Sequence, residues 1–242
     1  MRIEGGLSVK AAMQGGVRKV ERIYIDSSKK DKDAMFIRRT AHDMRIPVAE
    51  IKREKIDEMA EGRTHGGILA DVNQRRMQSL ASCLAAENPF LALVEGVEDP
   101  FNLGYIMRSL YCAGCTGILL RSRSWQDAGA TILRSSAGAS EFLPTVMPGD
   151  LADAVKQCKE AGLTVYAAMR KDAEVYDEAD YRKPCLIAIG GEMRGLSKGI
   201  LEQADRNVYI PYTSSFRNAL NAASAAAVFG FEVQRQRRHV HE

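Results

Sequence analysis

Apolar and polar positions fall into two differently patterned stretches along this chain. The first runs from a strand-like ERIYID (21–26) to a helix-like stretch from Asp33 to Asp43. A short strand PVAEI, a helix KIDEMAEG and a strand GGILADV follow. Short β-type runs interleaved with helical periodicity predict a small α/β unit over residues 1–73. From Asn73 to Pro89 the chain turns polar, then Ala-rich, and finishes in Glu-Asn-Pro. That loss of pattern predicts a linker over 74–89 and a second domain over 90–242. The second stretch holds the apolar runs LALVEGV (91–97), GILLR (117–121), TVYAAM (164–169), CLIAIG (185–190) and NVYI (207–210), with helical segments between most of them. Nearly continuous apolar strands alternating with helices predict an α/β domain whose parallel sheet carries helices on both faces. A last helix is expected from about Arg217 to Arg237, Ala-rich at first and fraying at its basic end QRQRRH.

Composition narrows the picture little. At 242 residues and 45% hydrophobic, the chain suffices for one large or two modest cores. A net charge of +3 suits a polyanionic partner and equally an ordinary enzyme. Cys83, Cys112, Cys115, Cys158 and Cys185 lack the paired spacing of a zinc site and the density of a disulfide scaffold. They read as reduced, mostly buried thiols; Cys112 and Cys115 continue an apolar helical stretch, and no metal is expected. No apolar run approaches a membrane span and MRIEGGLSVK has no signal-peptide hydrophobic region, so the expected location is cytoplasmic.

Ligands of open α/β sheets bind beyond the carboxyl ends of the strands, which directs attention to the turns there. Three are unusual. The first is Asp99-Pro100-Phe101-Asn102-Leu103-Gly104-Tyr105-Ile106-Met107-Arg108, with a helix expected to start near Asn102 and Arg108 about two turns on. Alone, it also reads as a capping Asn and a surface Arg. The second is Gly190-Gly191-Glu192-Met193-Arg194-Gly195-Leu196-Ser197, whose glycines permit backbone approach, although it is neither a dinucleotide fingerprint nor a Walker loop. The third runs from Ile210-Pro211 through a polar loop to Asn218-Ala219-Leu220-Asn221, where Asn218 or Ser215 would serve equally as a helix cap.

In order, and each after a strand of one sheet, the three turns resemble the signature motifs of the TrmH (SpoU) branch of the knotted SPOUT methyltransferases. The stretch Arg134-Ser135-Ser136-Ala137-Gly138-Ala139 is similar to that family's R-x-S-x-G-A. IEGGLSVKAAMQGGVRKVERIYID and THGGILADV resemble its auxiliary RNA-binding domain, built like a small ribosomal protein. The resemblance implies a parallel sheet with a deep C-terminal trefoil knot, an S-adenosylmethionine cofactor, and a homodimer that completes the site. It implies that Met169, Gly190, Gly191, Ile210 and Leu220 hold the cofactor. Arg108, Asn102, Glu192 and Asn221 would form the catalytic set, acting on an RNA ribose 2′-hydroxyl. One departure stands out: where the family reads Ser-Leu-Asn-Val-Ser, this chain has Ala219-Leu220-Asn221-Ala222-Ala223, so two hydroxyls are missing.

By the same resemblance, Arg18, Lys19, Arg63, Thr64 and His65 match stretches that contact RNA in relatives. His65 reads equally as a structural imidazole. The run Arg121-Ser122-Arg123-Ser124-Trp125 offers phosphate contacts and a stacking ring, or simply a solvated loop. The tail from Arg235 to His241 reads as a solvated end. Ribosomal RNA is the expected partner, since the accessory domain is typical of relatives acting on it. The alternatives are a non-catalytic RNA-binding or ribosome-assembly factor that kept the knot, and a tRNA ribose or base methyltransferase.

Overall fold

The computed structural model describes residues 1–121, 128–215 and 218–238. They form two compact units: Met1–Arg76 with the described part of Trp125–Phe142, and Met77–Ser124 with the described part of Leu143–Glu242.

In the first unit, β1 (Arg2–Glu4), α1 (Gly6–Gly15), β2 (Val20–Asp26), α2 (Lys32–Asp43), β3 (Val48–Ile51), α3 (Arg53–Met59) and β4 (Ile68–Val72) follow one another. The sheet order is β1-β4-β2-β3; β4 runs antiparallel to both neighbours, and β2 pairs parallel with β3. Asp31 starts α2 by accepting a hydrogen bond from the Ala34 N–H at 2.9 Å, which satisfies one of the free donors of the first turn. Ile3, Val9, Ile23, Ile25, Ile37 and Ile68 lie in the core. The strand β1 and the helix α1 are additions to the elements read from the sequence; β1 is too short for a period to register, and α1, bounded by glycines and rich in small residues, offers little apolar contrast.

The second unit begins with α4 (Leu80–Leu84), β5 (Phe90–Glu95), α5 (Pro100–Cys112) and β6 (Gly117–Leu120). The chain then passes to the first unit for α6 (Gly129–Ser135) and a 3-10 turn (Ala139–Glu141). It resumes with β7 (Thr145–Val146), α7 (Leu151–Glu160), β8 (Thr164–Ala168), β9 (Ala173–Val175), β10 (Cys185–Gly190), α8 (Lys198–Leu201), β11 (Arg206–Tyr209) and α9 (Ala222–Arg238). All its strand pairs are parallel, in the order β7-β6-β5-β10-β8-β11-β9. Leu91, Leu93, Leu119, Val165 and Leu186 pack on one side against Leu151, Ala154 and Val155 of α7. Gly230 of α9 faces α5, where an added Cβ would come within 3.1 Å of the Ala113 methyl.

Within the expected 90–242 stretch, the segment carrying Arg134 to Ala139 packs with the first compact unit. Leu133 and Phe142 join the first unit's core, and Glu141, fully buried, takes a two-pronged ion pair from Arg18 at 2.7 and 2.9 Å. Small residues permit this approach: a Cβ on Gly15 of α1 would overlap the Glu141 backbone. The last helix starts at Ala222 rather than near Arg217, since the Asn221 side chain accepts from the Ser224 N–H at 2.8 Å. Its basic end is anchored within the described residues. Arg237 donates to the carbonyls of Tyr181, Asn88, Pro89 and Lys183, and Gln236 binds Tyr181 and Ala179. The residues beyond Arg238, including His241, lie outside the described residues.

Candidate active site

The first turn leaves β5 through Gly96, whose φ of 76° is left-handed. Asp99 then caps α5, accepting from the N–H groups of Phe101 at 3.3 Å and Asn102 at 3.0 Å, with Pro100 in the first turn where its missing N–H is harmless. The helix therefore starts earlier than expected, and Asn102 is half-buried in its first turn rather than the cap. Phe101, Tyr105, Arg108 and Cys112 recur at spacings of four, three and four, which sets them on one face of α5. All four are exposed.

The second turn crosses the first at backbone distance. The Gly191 N–H donates to the Glu95 carbonyl at 2.6 Å, and a Cβ on Gly191 would overlap the Gly96 carbonyl oxygen. One on Gly190 would overlap the Gly195–Leu196 peptide. No residue but glycine fits either position, and the loop between, with Glu192 exposed, closes through Gly195 N–H to Gly191 oxygen at 2.9 Å. The carboxylate of Glu95, missed in the sequence analysis, is the buried joint here. One oxygen accepts from the Ser197 N–H at 2.7 Å and the other from Arg121 at 2.5 Å. The signal for it was weak: a single acid ending an apolar run.

The third turn is tied by Tyr212, also missed, whose hydroxyl accepts from the Leu220 N–H at 2.8 Å. The Arg170 guanidinium lies 4.4 Å over the centre of the same ring, a cation–π contact. Here the second and third turns enclose a cleft of about 300 Å³, within the range of small-molecule sites. Met169, Gly190, Ile210 and Leu220 line it, with Ala219 and Phe229; Gly191 instead sits against Gly96. Asn221 is exposed next to this lining, its carbonyl oxygen committed to the cap of α9.

The five residues expected at RNA divide by burial. Lys19, Arg63 and Thr64 are exposed. Arg18 is an internal cation, its side chain 4% exposed and spent on Glu141. His65 is buried: its Nδ1 accepts from the Gly67 N–H at 3.2 Å and its Nε2 lies 3.1 Å from Asp57, the structural arrangement. Arg121 is described, whereas Ser122, Arg123, Ser124 and Trp125 lie outside the described residues. Of the thiols, Cys112 is exposed and the other four are buried.

Comparison with known proteins adds independent observations. The SpoU rRNA Methylase family model matches residues 89–231, and the model for RNA 2'-O ribose methyltransferase substrate binding matches residues 2–78. The chain is 30% identical over 236 residues to the 23S rRNA (guanosine-2'-O-)-methyltransferase RlmB of Shewanella oneidensis, covering 96% of this chain and 95% of that one. It is 28% identical over 230 residues to the putative TrmH family tRNA/rRNA methyltransferase YacO of Bacillus subtilis, covering 93% and 92%. Its fold matches the AdoMet-bound rRNA methyltransferase from Sinorhizobium meliloti with a TM-score of 0.81 at 22% identity, over 97% of this chain and 86% of that one. It matches AdoMet-bound AviRb from Streptomyces viridochromogenes at 0.79 and 24%, over 98% and 90%. With a family model over more than half its length and a relative aligned nearly end to end, the chain belongs to the SpoU rRNA methylase family.

Proposed function

We infer that this protein methylates the 2′-hydroxyl of a ribose in RNA, using S-adenosylmethionine, and that ribosomal RNA is its target class. The observation that carries the reading is the cleft that gathers Met169, Gly190, Ile210 and Leu220 where the second and third turns meet. Apolar walls and small residues suit a flat adenosine, and the missing Cβ at Gly190 lets the Gly195–Leu196 peptide close beside the cleft. When bound, that cofactor supplies an electrophilic methyl on a sulfonium. Relatives named as 23S rRNA 2'-O-methyltransferases span nearly the whole chain, and the substrate-binding model at the N-terminus supports RNA as the partner. Such a target goes with a cytoplasmic location.

The chemistry follows from the residue types. A ribose hydroxyl is a poor nucleophile at neutral pH and gains from groups that orient it and stabilise the developing alkoxide. A guanidinium is a planar, delocalised cation that presents a fork of N–H donors, so the part of Arg108 is to orient the ribose and neutralise charge. Asn102 and Glu192 hydrogen-bond the ribose and Arg108, and Asn221 uses its remaining amide N–H groups.

The path of the chain supports the trefoil knot: β10 inserts between β5 and β8, and its following turn crosses the β5 turn at Gly96. Two copies form the working enzyme, each covering the other's exposed stripe of Phe101, Tyr105 and Cys112, within which Arg108 stands. The test is transfer of labelled methyl from S-adenosylmethionine to ribosomal RNA, followed by alkaline hydrolysis. Label in an alkali-resistant dinucleotide is expected, because a 2′-O-methyl blocks cleavage of the adjoining phosphodiester. Label on a base, or none, refutes the reading.

A further inference from the structure

Arg121 and Glu95 form a pair at the carboxyl edge of the sheet that the cofactor cleft does not use. Leu120 pairs with Val94 and Gly190 with Glu95, so Arg121, Glu95 and Gly190 stand level across β6, β5 and β10. The cleft lies on one side of that row, over the ends of β10, β8 and β11. Arg121 lies on the other side, beyond β5 and its catalytic turn. The two partners differ sharply in exposure: Glu95 is 5% exposed in its side chain and Arg121 69%. One guanidinium arm is held at 2.5 Å by a carboxylate whose other oxygen is fixed to the Ser197 N–H. The remaining N–H groups of Arg121 have no protein partner among the described residues. A guanidinium oriented by a rigid acid and presenting a free fork suits an anionic oxygen pair.

Resting on the methyltransferase reading, we propose that Arg121 binds a phosphate of the acceptor RNA next to the target ribose, and that Glu95 is the positioning residue that aims it. With the cofactor on the β10–β8–β11 side, the acceptor reaches the methyl from the β5–β6 side, where Arg121 stands as a cation at the sheet edge. A structural pair alone would need Arg121 only as the counter-charge of a buried acid.

Salt dependence separates the two roles. Each phosphate neutralised adds about 0.7 to 0.9 to the slope of log affinity against log salt. Arg121→Ala is expected to raise the KM for in vitro transcribed ribosomal RNA about tenfold, as for a charge-assisted hydrogen bond, and to flatten that slope by about 0.7. Its affinity for S-adenosylmethionine, by calorimetry, stays at the wild-type value. Arg121→Lys keeps the slope and raises KM, because the charge remains without the fork. Glu95→Gln raises KM with the slope unchanged; Glu95→Asp, one methylene shorter, gives the same readout should the amide variant not fold. Wild-type KM and slope in Arg121→Ala overturn the phosphate contact, and wild-type KM in the Glu95 variants overturns the positioning role. A wild-type protein that transfers no methyl would instead sink the proposed function itself.

Discussion

Arg108 is exposed on α5, without an ion pair among the described residues, so its replacement tests the proposed site rather than the fold. Arg108→Ala is expected to lower kcat about a hundredfold or more, as when a transition-state donor is lost. Cofactor affinity in calorimetry should be unchanged; wild-type turnover would remove Arg108 from the site. Tyr212 lines the cleft proposed for the cofactor. Tyr212→Phe deletes the acceptor of the Leu220 N–H, a bond worth about 1 kcal/mol, so the Kd for S-adenosylmethionine should rise about fivefold. Ala219→Ser restores a hydroxyl of the relatives' pattern at an exposed position on the cleft, so folding and cofactor affinity should survive it. The candidate residues at the three turns could be named from the sequence because three motifs in order carry them. Burial was not legible. Arg18 and His65 carry the same letters inside an internal ion pair or a tight turn as they would on an RNA-facing surface.

The apolar runs announced β5, β6, β8 and β10 because buried parallel strands are apolar on both faces, whereas β11, with Val208 alone buried, showed only through the short run NVYI. The very short β7 and β9 carry too few residues for a period to emerge. Helix starts were misjudged where a cap lay outside the apparent pattern: Asp99 takes α5 earlier, and Asn221 delays α9. Least legible was the passage of α6 and its 3-10 turn into the first unit, since local propensity says nothing about which core a segment joins. Glu141→Gln tests the strength of that attachment. It leaves the Arg18 charge buried without its counter-ion, and breaking such pairs costs about 3–5 kcal/mol. In urea denaturation the first unit should therefore unfold at a markedly lower midpoint than in the wild type.

At the scale of the molecule, thiol chemistry reports on assembly. Burial pushes Cys115 and Cys158 up to about 12 and Cys185 up to about 11, so these are unreactive, and Cys83 is shifted upward for the same reason. Cys112, on the α5 stripe, is the exposed thiol among them. If two copies cover that stripe, Cys112 should alkylate slowly in the wild type and fast in Tyr105→Asp, which should also sediment as a monomer. Fast alkylation in both, with no change in sedimentation, would exclude this face as the interface. The excursion of residues 128–142 also decides how the protein can be divided. A fragment beginning at Met77 would carry Leu133 and Phe142 away from the core they pack in, and the carboxylate of Glu141 away from the Arg18 guanidinium. Such a fragment should express as aggregate, while one that replaces residues 128–142 with a short polar loop should stay soluble. The SpoU rRNA Methylase match runs unbroken over residues 89–231, so a graft of that stretch onto another RNA-binding module would carry Leu133 and Glu141 with it and would have to give both new partners.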